Sequence, residues 1–219
     1  MRVGTDEAGK GPVLGSMFAA AVGVPDAEVL PDDVGDSKGI DPKRRRTITT
    51  RLAEDDRIAV GVAEITVDRI DDPDTDMNSL TVTAHAEAID EAVGASEAPD
   101  VTVLADAGDT SEERFGRRVA DACKPSVAVT AEHGADETDP VVGAASIVAK
   151  VRRDEHVRGL AERYDRPIGS GYPSDPTTRE FLETYADEHG DVPPCTRRSW
   201  STVADVLATV EQSGLGEFR

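Results

Sequence analysis

Residues 3–12 read Val-Gly-Thr-Asp-Glu-Ala-Gly-Lys-Gly-Pro. Residues 3–5 have the apolar, β-branched character of a short buried strand, and Gly9, Gly11 and Pro12 break it. The run LGSMFAAAVGV at 14–24 is a second strand, so the two predict a β-hairpin that opens the domain. Asp6 and Glu7 follow the first strand at once. The segment GTDEAGKG at 4–11 comes close to the phosphate-binding pattern G-x-x-x-x-G-K-[ST] and fails it in three ways. Gly11 stands where a magnesium-binding hydroxyl is required, Pro12 where a helix must already be running, and two carboxylates lie inside the loop. What remains is a flexible turn with one cation, Gly9-Lys10-Gly11, whose main chain a ligand can approach closely. An ordinary hairpin turn is the plain alternative for this segment taken alone.

Beyond the hairpin, Asp41-Pro42 is an N-cap with proline at the first helical position, which predicts a helix over 43–53. Alternation over 58–67 predicts a third strand. Leu80, Ala84, Ala88 and Ala92 share one face of a helix over 78–93. Strands at 101–104 and 126–130 flank a helix at 112–122. The longest helical pattern covers 140–161, and two further helices, 177–188 and 199–211, follow with no strand signal. Five strands interleaved with helices predict a mixed α/β sheet with helices packed against it.

Three of these strands lead directly to acids. Asp6 and Glu7 follow the first, Asp106 ends the fourth, and Asp136 lies in a loop between the fifth and the long helix. Strand ends are where loops converge and ligands collect in open α/β sheets. Carboxylates sharing such a place repel one another, and an all-oxygen donor set points to Mg²⁺ or Mn²⁺. Two such ions activate a water and stabilise a leaving oxygen in phosphodiester cleavage. Singly, each acid is as well explained as solvated surface, since the chain has 44 of them in 219 residues. Asp109, three residues after Asp106, and Glu137 and Asp139, beside Asp136, are rivals for the third and fourth places.

The acids also set the net charge, 24 − 44 = −20, which at face value argues against a polyanionic partner. Lysine appears five times against 19 arginines, and aspartate is spread through almost every segment. That balance matches a protein of a high-salt cytoplasm, where dispersed acid serves hydration under strong screening. No apolar run is long enough to span a membrane, and the first residues lack a secretory signal pattern. Two cysteines, Cys123 and Cys195, make no disulfide framework, so a reduced, cytoplasmic setting is expected.

The separate signals join into one ordered pattern. DEAGKGP at 6–12 resembles the DEAGRGP opening of the ribonuclease HII family. DSK at 36–38 with PKRR at 42–45, MNSL at 77–80, ADAGD at 105–109 and ADETDPVVGAASIVAKVRRD at 135–154 follow in the family's order. GSGYPSDP at 169–176 and RRSW at 197–200 are similar to the C-terminal segments of its archaeal members. The resemblance spans nearly the whole chain. It implies an RNase H-like fold, a mixed five-stranded sheet flanked by helices, with a catalytic domain over 1–168 and a C-terminal helical extension over 169–219.

It further implies an endoribonuclease that cuts RNA in RNA–DNA hybrids, and single ribonucleotides embedded in duplex DNA on their 5′ side, leaving 3′-OH and 5′-phosphate ends. Carried over residue by residue, Asp6, Glu7, Asp106 and Asp136 are the catalytic, metal-binding acids of a two-metal site for Mg²⁺ or Mn²⁺. Gly9, Lys10 and Gly11 correspond to the turn that contacts the 2′-OH, and Tyr172 to the tyrosine against the sugar. Lys10 replaces the commoner arginine and loses its bidentate fork. Lys38 and Lys150 are the expected phosphate contacts, among basic groups at 43–46, 152–153 and 197–198. His133 is a faint candidate near the fourth acid, and the other histidines read as structural. The resemblance implies a monomer with no membrane partner, and Phe218 near the C-terminus offers a sliding-clamp contact. Another RNase H-like nuclease, such as a junction resolvase or exonuclease, and a hybrid-binding module without catalysis are the competing classes. Neither gives the GKG turn, the tyrosine and the four intact acids a shared purpose.

Overall fold

The computed structural model describes residues 1–34, 39–94 and 100–216. Lys38, the rest of the DSK segment and Phe218 lie outside these residues. Five strands form one sheet in the order β3-β2-β1-β4-β5. β1 (Arg2–Ala8) pairs antiparallel with β2 (Met17–Val24), as the hairpin reading requires, and β2 pairs antiparallel with β3 (Ala59–Ile65). β1 pairs parallel with β4 (Thr102–Asp106), which pairs parallel with β5 (Ala128–Glu132). All eight residues of β2 are buried, because helices cover both faces of this inner strand. The second strand starts at Met17 rather than residue 14: Gly15 takes a left-handed conformation (φ 79°) that ends extended pairing.

Eight helices are described: α1 (Pro42–Glu54), α2 (Val67–Ile70), α3 (Met77–Gly94), α4 (Glu112–Ala122), α5 (Ala135–Thr138), α6 (Pro140–Tyr164), α7 (Pro176–His189) and α8 (Ser201–Gly216). The Asp41 carboxylate accepts from the Lys43 and Arg44 amides ahead of α1, as its Asp-Pro start predicts. The two four-residue helices α2 and α5 were not expected from periodicity, which needs longer windows to register.

The residues gather into two compact units. The first holds Met1–Lys10, Met17–Ile65 and Asp76–Arg153, and the second Gly11–Ser16, Thr66–Thr75 and Asp154–Arg219. In the first, Ala20, Val22 and Val24 of β2 pack with Ile48 and Leu52 of α1 and Ala144, Ile147 and Val148 of α6. The opposite face of the sheet carries α3, with α4 beside it. Gly4 permits a close approach: a side-chain carbon there would sit 2.4 Å from the Val141 and Val142 main chain, so α6 packs directly on β1. The second unit has its own core, in which Val13 and Leu14 pack with Ile168, Phe181, Leu182 and Val203. Among the described residues no helix is long and apolar enough to cross a membrane.

Candidate active site

The parallel pairing of β1 and β4 runs through Thr5 and Ala105. Asp6 and Asp106 are the next residue on each strand, so two carboxylates stand on neighbouring strands at their carboxyl ends. Strand alternation sends Asp6 and Glu7 to opposite faces of the sheet. Asp6 shares Gly4's face, beneath α6, where Ser146 of that helix favours its ionised form. Glu7 shares Thr5's face, beneath α3, where His85 Nε2 lies 2.8 Å from its Oε2. The other ring nitrogen of His85 is 3.2 Å from the Thr5 hydroxyl, which donates to the Ala20 carbonyl at 2.9 Å. His85 is fully buried, its ring edge-on to Phe115.

Asp106 Oδ1 accepts the Ala135 amide at 2.9 Å, which ties the end of β4 to the start of α5. Asp136 therefore sits on a short helix rather than in a loop, and it is buried. The Ser146 hydroxyl lies 3.3 Å from Asp136 Oδ2. Lys150, one turn along α6, donates to Ser146 at 2.6 Å and stands 3.6 Å from the same carboxylate. The Ser146 hydroxyl thus donates its proton to Asp136 and accepts from Lys150, the adjoining cation.

The electrostatics register the crowding. Burial, and next the charge of Glu7, raise Asp6 to about 7, with Asp106 adding to the rise and Ser146 opposing it. Burial raises Asp106 as well; the Ala135 amide opposes that, and the charges of Asp136 and Glu7 reinforce it. Burial works against Glu7 too, but the His85 hydrogen bond and the charges of His85 and Lys10 hold its carboxylate below the usual range. Carboxylates crowded so that Asp6 and Asp106 are both raised by their neighbours, with oxygen as the only donor atom, suit a hard divalent cation. Among the described residues no three His, Cys, Asp or Glu side chains form a ready-made metal cage. The alternation of β1 explains this: Asp6 and Glu7 diverge, and Ser146, Lys150, His85 and the Ala135 amide engage the acids instead.

The rival acids have other partners. Asp109 is gripped by Arg114, with Nε at 3.0 Å, which holds it far below its ordinary value. Asp139 accepts the Val141 and Val142 amides at the start of α6 and pairs with Arg2, and Glu137 is exposed. His133 bridges Glu112 and the Asp109 carbonyl, each at 2.8 Å, and belongs to the support of that loop.

Gly9 adopts φ 89°, a left-handed conformation that makes glycine necessary at the head of the turn. Lys10 Nζ donates to the Gly108 carbonyl at 2.6 Å and reaches Asn78 Oδ1 at 3.4 Å. Glu7, Lys10, Asn78, Asp109, Arg114 and His133 line an open cleft of about 490 Å³, in which carboxylates and cations alternate. In the second unit Gly11 lies against Tyr172: a side-chain carbon on Gly11 would stand 3.5 Å from Tyr172 Cε1. Tyr172 is 41% exposed, the one exposed large apolar side chain among the described residues. Of the basic groups read as phosphate contacts, Arg153 and Arg197 are buried, and Arg197 donates to the Gly15 carbonyl at 2.8 Å. These two arginines bind inward, whereas Arg152 and Arg198 are exposed.

His85 and Ser146 are the residues the sequence reading passed over. Each carries a faint signal. His85 is a lone polar ring among the alanines of an apolar helix face, and Ser146 is the single hydroxyl in VVGAASIVA, one helical turn before Lys150.

The chain is similar to known proteins over nearly its whole length. The sequence profile of the family described as Ribonuclease HII matches residues 3–203. A Ribonuclease HII of Haloarcula marismortui is 61% identical over 218 residues, covering all of both chains. The crystal structure of ribonuclease H2 from Pyrococcus horikoshii superposes with TM-score 0.86 at 34% identity, covering 96% of this chain and 99% of that one. The ribonuclease HII in a PCNA complex from Archaeoglobus fulgidus superposes with TM-score 0.81 at 33% identity, covering 94% and 96%.

Proposed function

The chain belongs to the ribonuclease HII family, and from that premise we propose how its own residues carry out cleavage of RNA in RNA–DNA hybrids and at single ribonucleotides embedded in duplex DNA. The observation that carries the reading is the register of β1 on β4, which sets Asp6 beside Asp106 with Asp136 within electrostatic reach. Asp6, Glu7, Asp106 and Asp136 hold the divalent cations, Mg²⁺ or Mn²⁺. Ions held there would supply activation of the attacking water and stabilisation of the leaving oxygen, so no histidine base is needed.

The protein's part is positional. Asp6 and Asp106 would fix the shared centre, Glu7 and Asp136 would close it from the two faces of the sheet, and Ser146 aligns Asp136. The turn Gly9-Lys10-Gly11 presents main-chain groups to the 2′-OH, the atom that separates RNA from DNA. Tyr172 lays its ring against the sugar. Cleavage falls on the 5′ side of the ribonucleotide and leaves 3′-OH and 5′-phosphate ends. Lys38 and Lys150 serve phosphates, Lys150 from its place beside Asp136. In this reading residues 1–168 catalyse and residues 169–219 bring the tyrosine. The enzyme works as a monomer in the cytoplasm, and the segment around Phe218 docks on a sliding clamp.

The test is a duplex with one ribonucleotide, offered beside an all-DNA junction, with Mg²⁺ or Mn²⁺ from low to multimolar salt. Metal-dependent nicking 5′ of the ribonucleotide is expected. Cutting of the junction with the ribonucleotide left intact would sink the reading in favour of a resolvase.

A further inference from the structure

Trp200 is half-buried, yet its indole N–H reaches an exposed main-chain group. Nε1 donates to the Gly11 carbonyl at 3.2 Å. Pro12 follows Gly11, so the peptide beyond that carbonyl has no N–H of its own and a fixed φ on its far side. The freedom left at this point is that of Gly11, the least restrained residue type. The Trp200 hydrogen bond removes much of it.

Trp200 is itself held. The Arg197 guanidinium lies 5.1 Å from the centre of its ring. Arg197 is fully buried and grips the same segment from below: its amide donates to the Val13 carbonyl and its Nε to the Gly15 carbonyl, both at 2.8 Å. The Gly15 amide donates in turn to the Cys195 carbonyl at 2.8 Å. On its other side this segment meets the tyrosine loop, since the Val13 and Leu14 amides both donate to the Gly171 carbonyl, at 2.8 and 3.2 Å. Residues 195–200 and residue 171 therefore clamp residues 11–15 between them. What the clamp orients is an exposed pair, Gly11 and the Tyr172 ring, and not a piece of core.

We propose that Trp200, braced by Arg197, is a positioning residue for ribonucleotide recognition, fixing the Gly11 turn against Tyr172 before substrate arrives. The inference rests on the reading of that turn and of Tyr172 as the sugar-contacting elements. Its physical content is preorganisation: a turn already ordered in the free enzyme does not have to be ordered on binding.

The experiment uses the full chain and the embedded-ribonucleotide duplex in four proteins: wild type, Trp200→Phe, Tyr172→Ala and the double variant. Trp200→Phe keeps an aromatic ring beside Arg197 while removing the N–H donor together with part of the indole's bulk. It should lower kcat/KM about tenfold with a melting temperature close to wild type. In the Tyr172→Ala background the same change should cost less than about twofold, because the partner it aligns is gone. Wild-type kcat/KM in Trp200→Phe, or an equal loss in both backgrounds, overturns the inference and makes Trp200 merely structural. A wild-type enzyme blind to the embedded ribonucleotide overturns the underlying reading, and this inference with it.

Discussion

His85 Nε2 meets the Glu7 carboxylate at 2.8 Å from a fully buried ring. The same ring touches the Thr5 hydroxyl, so one side chain of α3 is tied to two successive residues on one face of β1. Glu7 is thereby anchored from the buried side at the wall of the open cleft. His85→Leu should cost about 2–4 kcal/mol of stability, from the lost hydrogen bonds and the imperfect refilling of the site. Cleavage should fall at least about tenfold, and His85→Gln, which keeps a donor, should recover part of it. Urea unfolding alongside single-turnover cleavage measures both. Undiminished cleavage in His85→Leu would separate this contact from function.

Asp6→Asn should abolish cleavage, by about a thousandfold or more, because the carboxylate beside Asp106 at the strand ends is lost. The fold should persist. Since burial and the charge of Glu7 act against ionised Asp6, the neutral variant without metal should melt higher than wild type at alkaline pH. Cleavage rates and thermal melting check the two halves, and metal-dependent activity in the variant would remove Asp6 from the site.

The same shift sets a pH dependence. With Asp6 raised from 3.8 to about 7, the folded chain keeps a proton that the unfolded chain releases across that interval. Bound protons are then more numerous in the folded state, so this group lowers stability as pH rises through the window, fully so above it. A divalent cation competes with that proton. Its affinity should climb as pH rises through about 7, read as a larger melting shift from Mg²⁺ at pH ~8 than at pH ~6. An equal shift at both would contradict the assignment.

Tyr172→Ala should reduce cutting at a single embedded ribonucleotide by about tenfold, since an exposed ring has little to do with core packing. Its melting temperature should stay near wild type. Equal cutting of that duplex by variant and wild type would take the ring out of sugar recognition.

The net charge of −20 should make the enzyme salt-requiring. Raising KCl from ~0.1 M to ~3 M should raise the melting temperature through screening of acid self-repulsion. A melting temperature that falls over this range would contradict the high-salt reading, which the full-length Haloarcula relative supports.

The five strands and six longer helices were legible because each carries a local pattern: alternation, an apolar run, or an Asp-Pro or Ser start. The acids were legible because they come at or soon after the ends of apolar runs, although β1 extends through Asp6 and Glu7 to Ala8 and Asp136 starts a short helix rather than lying in a loop. Less visible were the partners that arrive from far along the chain. His85 faces Glu7 across 78 residues, and Trp200 reaches Gly11 across 189. No local period announces such a meeting, and a histidine or tryptophan that serves another residue looks like any core aromatic. Arg197 shows the converse error. In sequence it is one of a basic pair suited to phosphate, yet the fold sinks it beneath the segment it supports.

Because Asp6 and Glu7 lie back to back across a single strand, the length of β1 matters as much as its letters. Losing or gaining one residue ahead of Asp6 would exchange the two acids between Ser146 and His85 while leaving every motif letter in place. Such a frame-preserving indel would pass as a near-perfect family match and yet encode an unarmed enzyme. Drift in this family is therefore expected to proceed at β1 by substitution, with insertions and deletions confined to the loops.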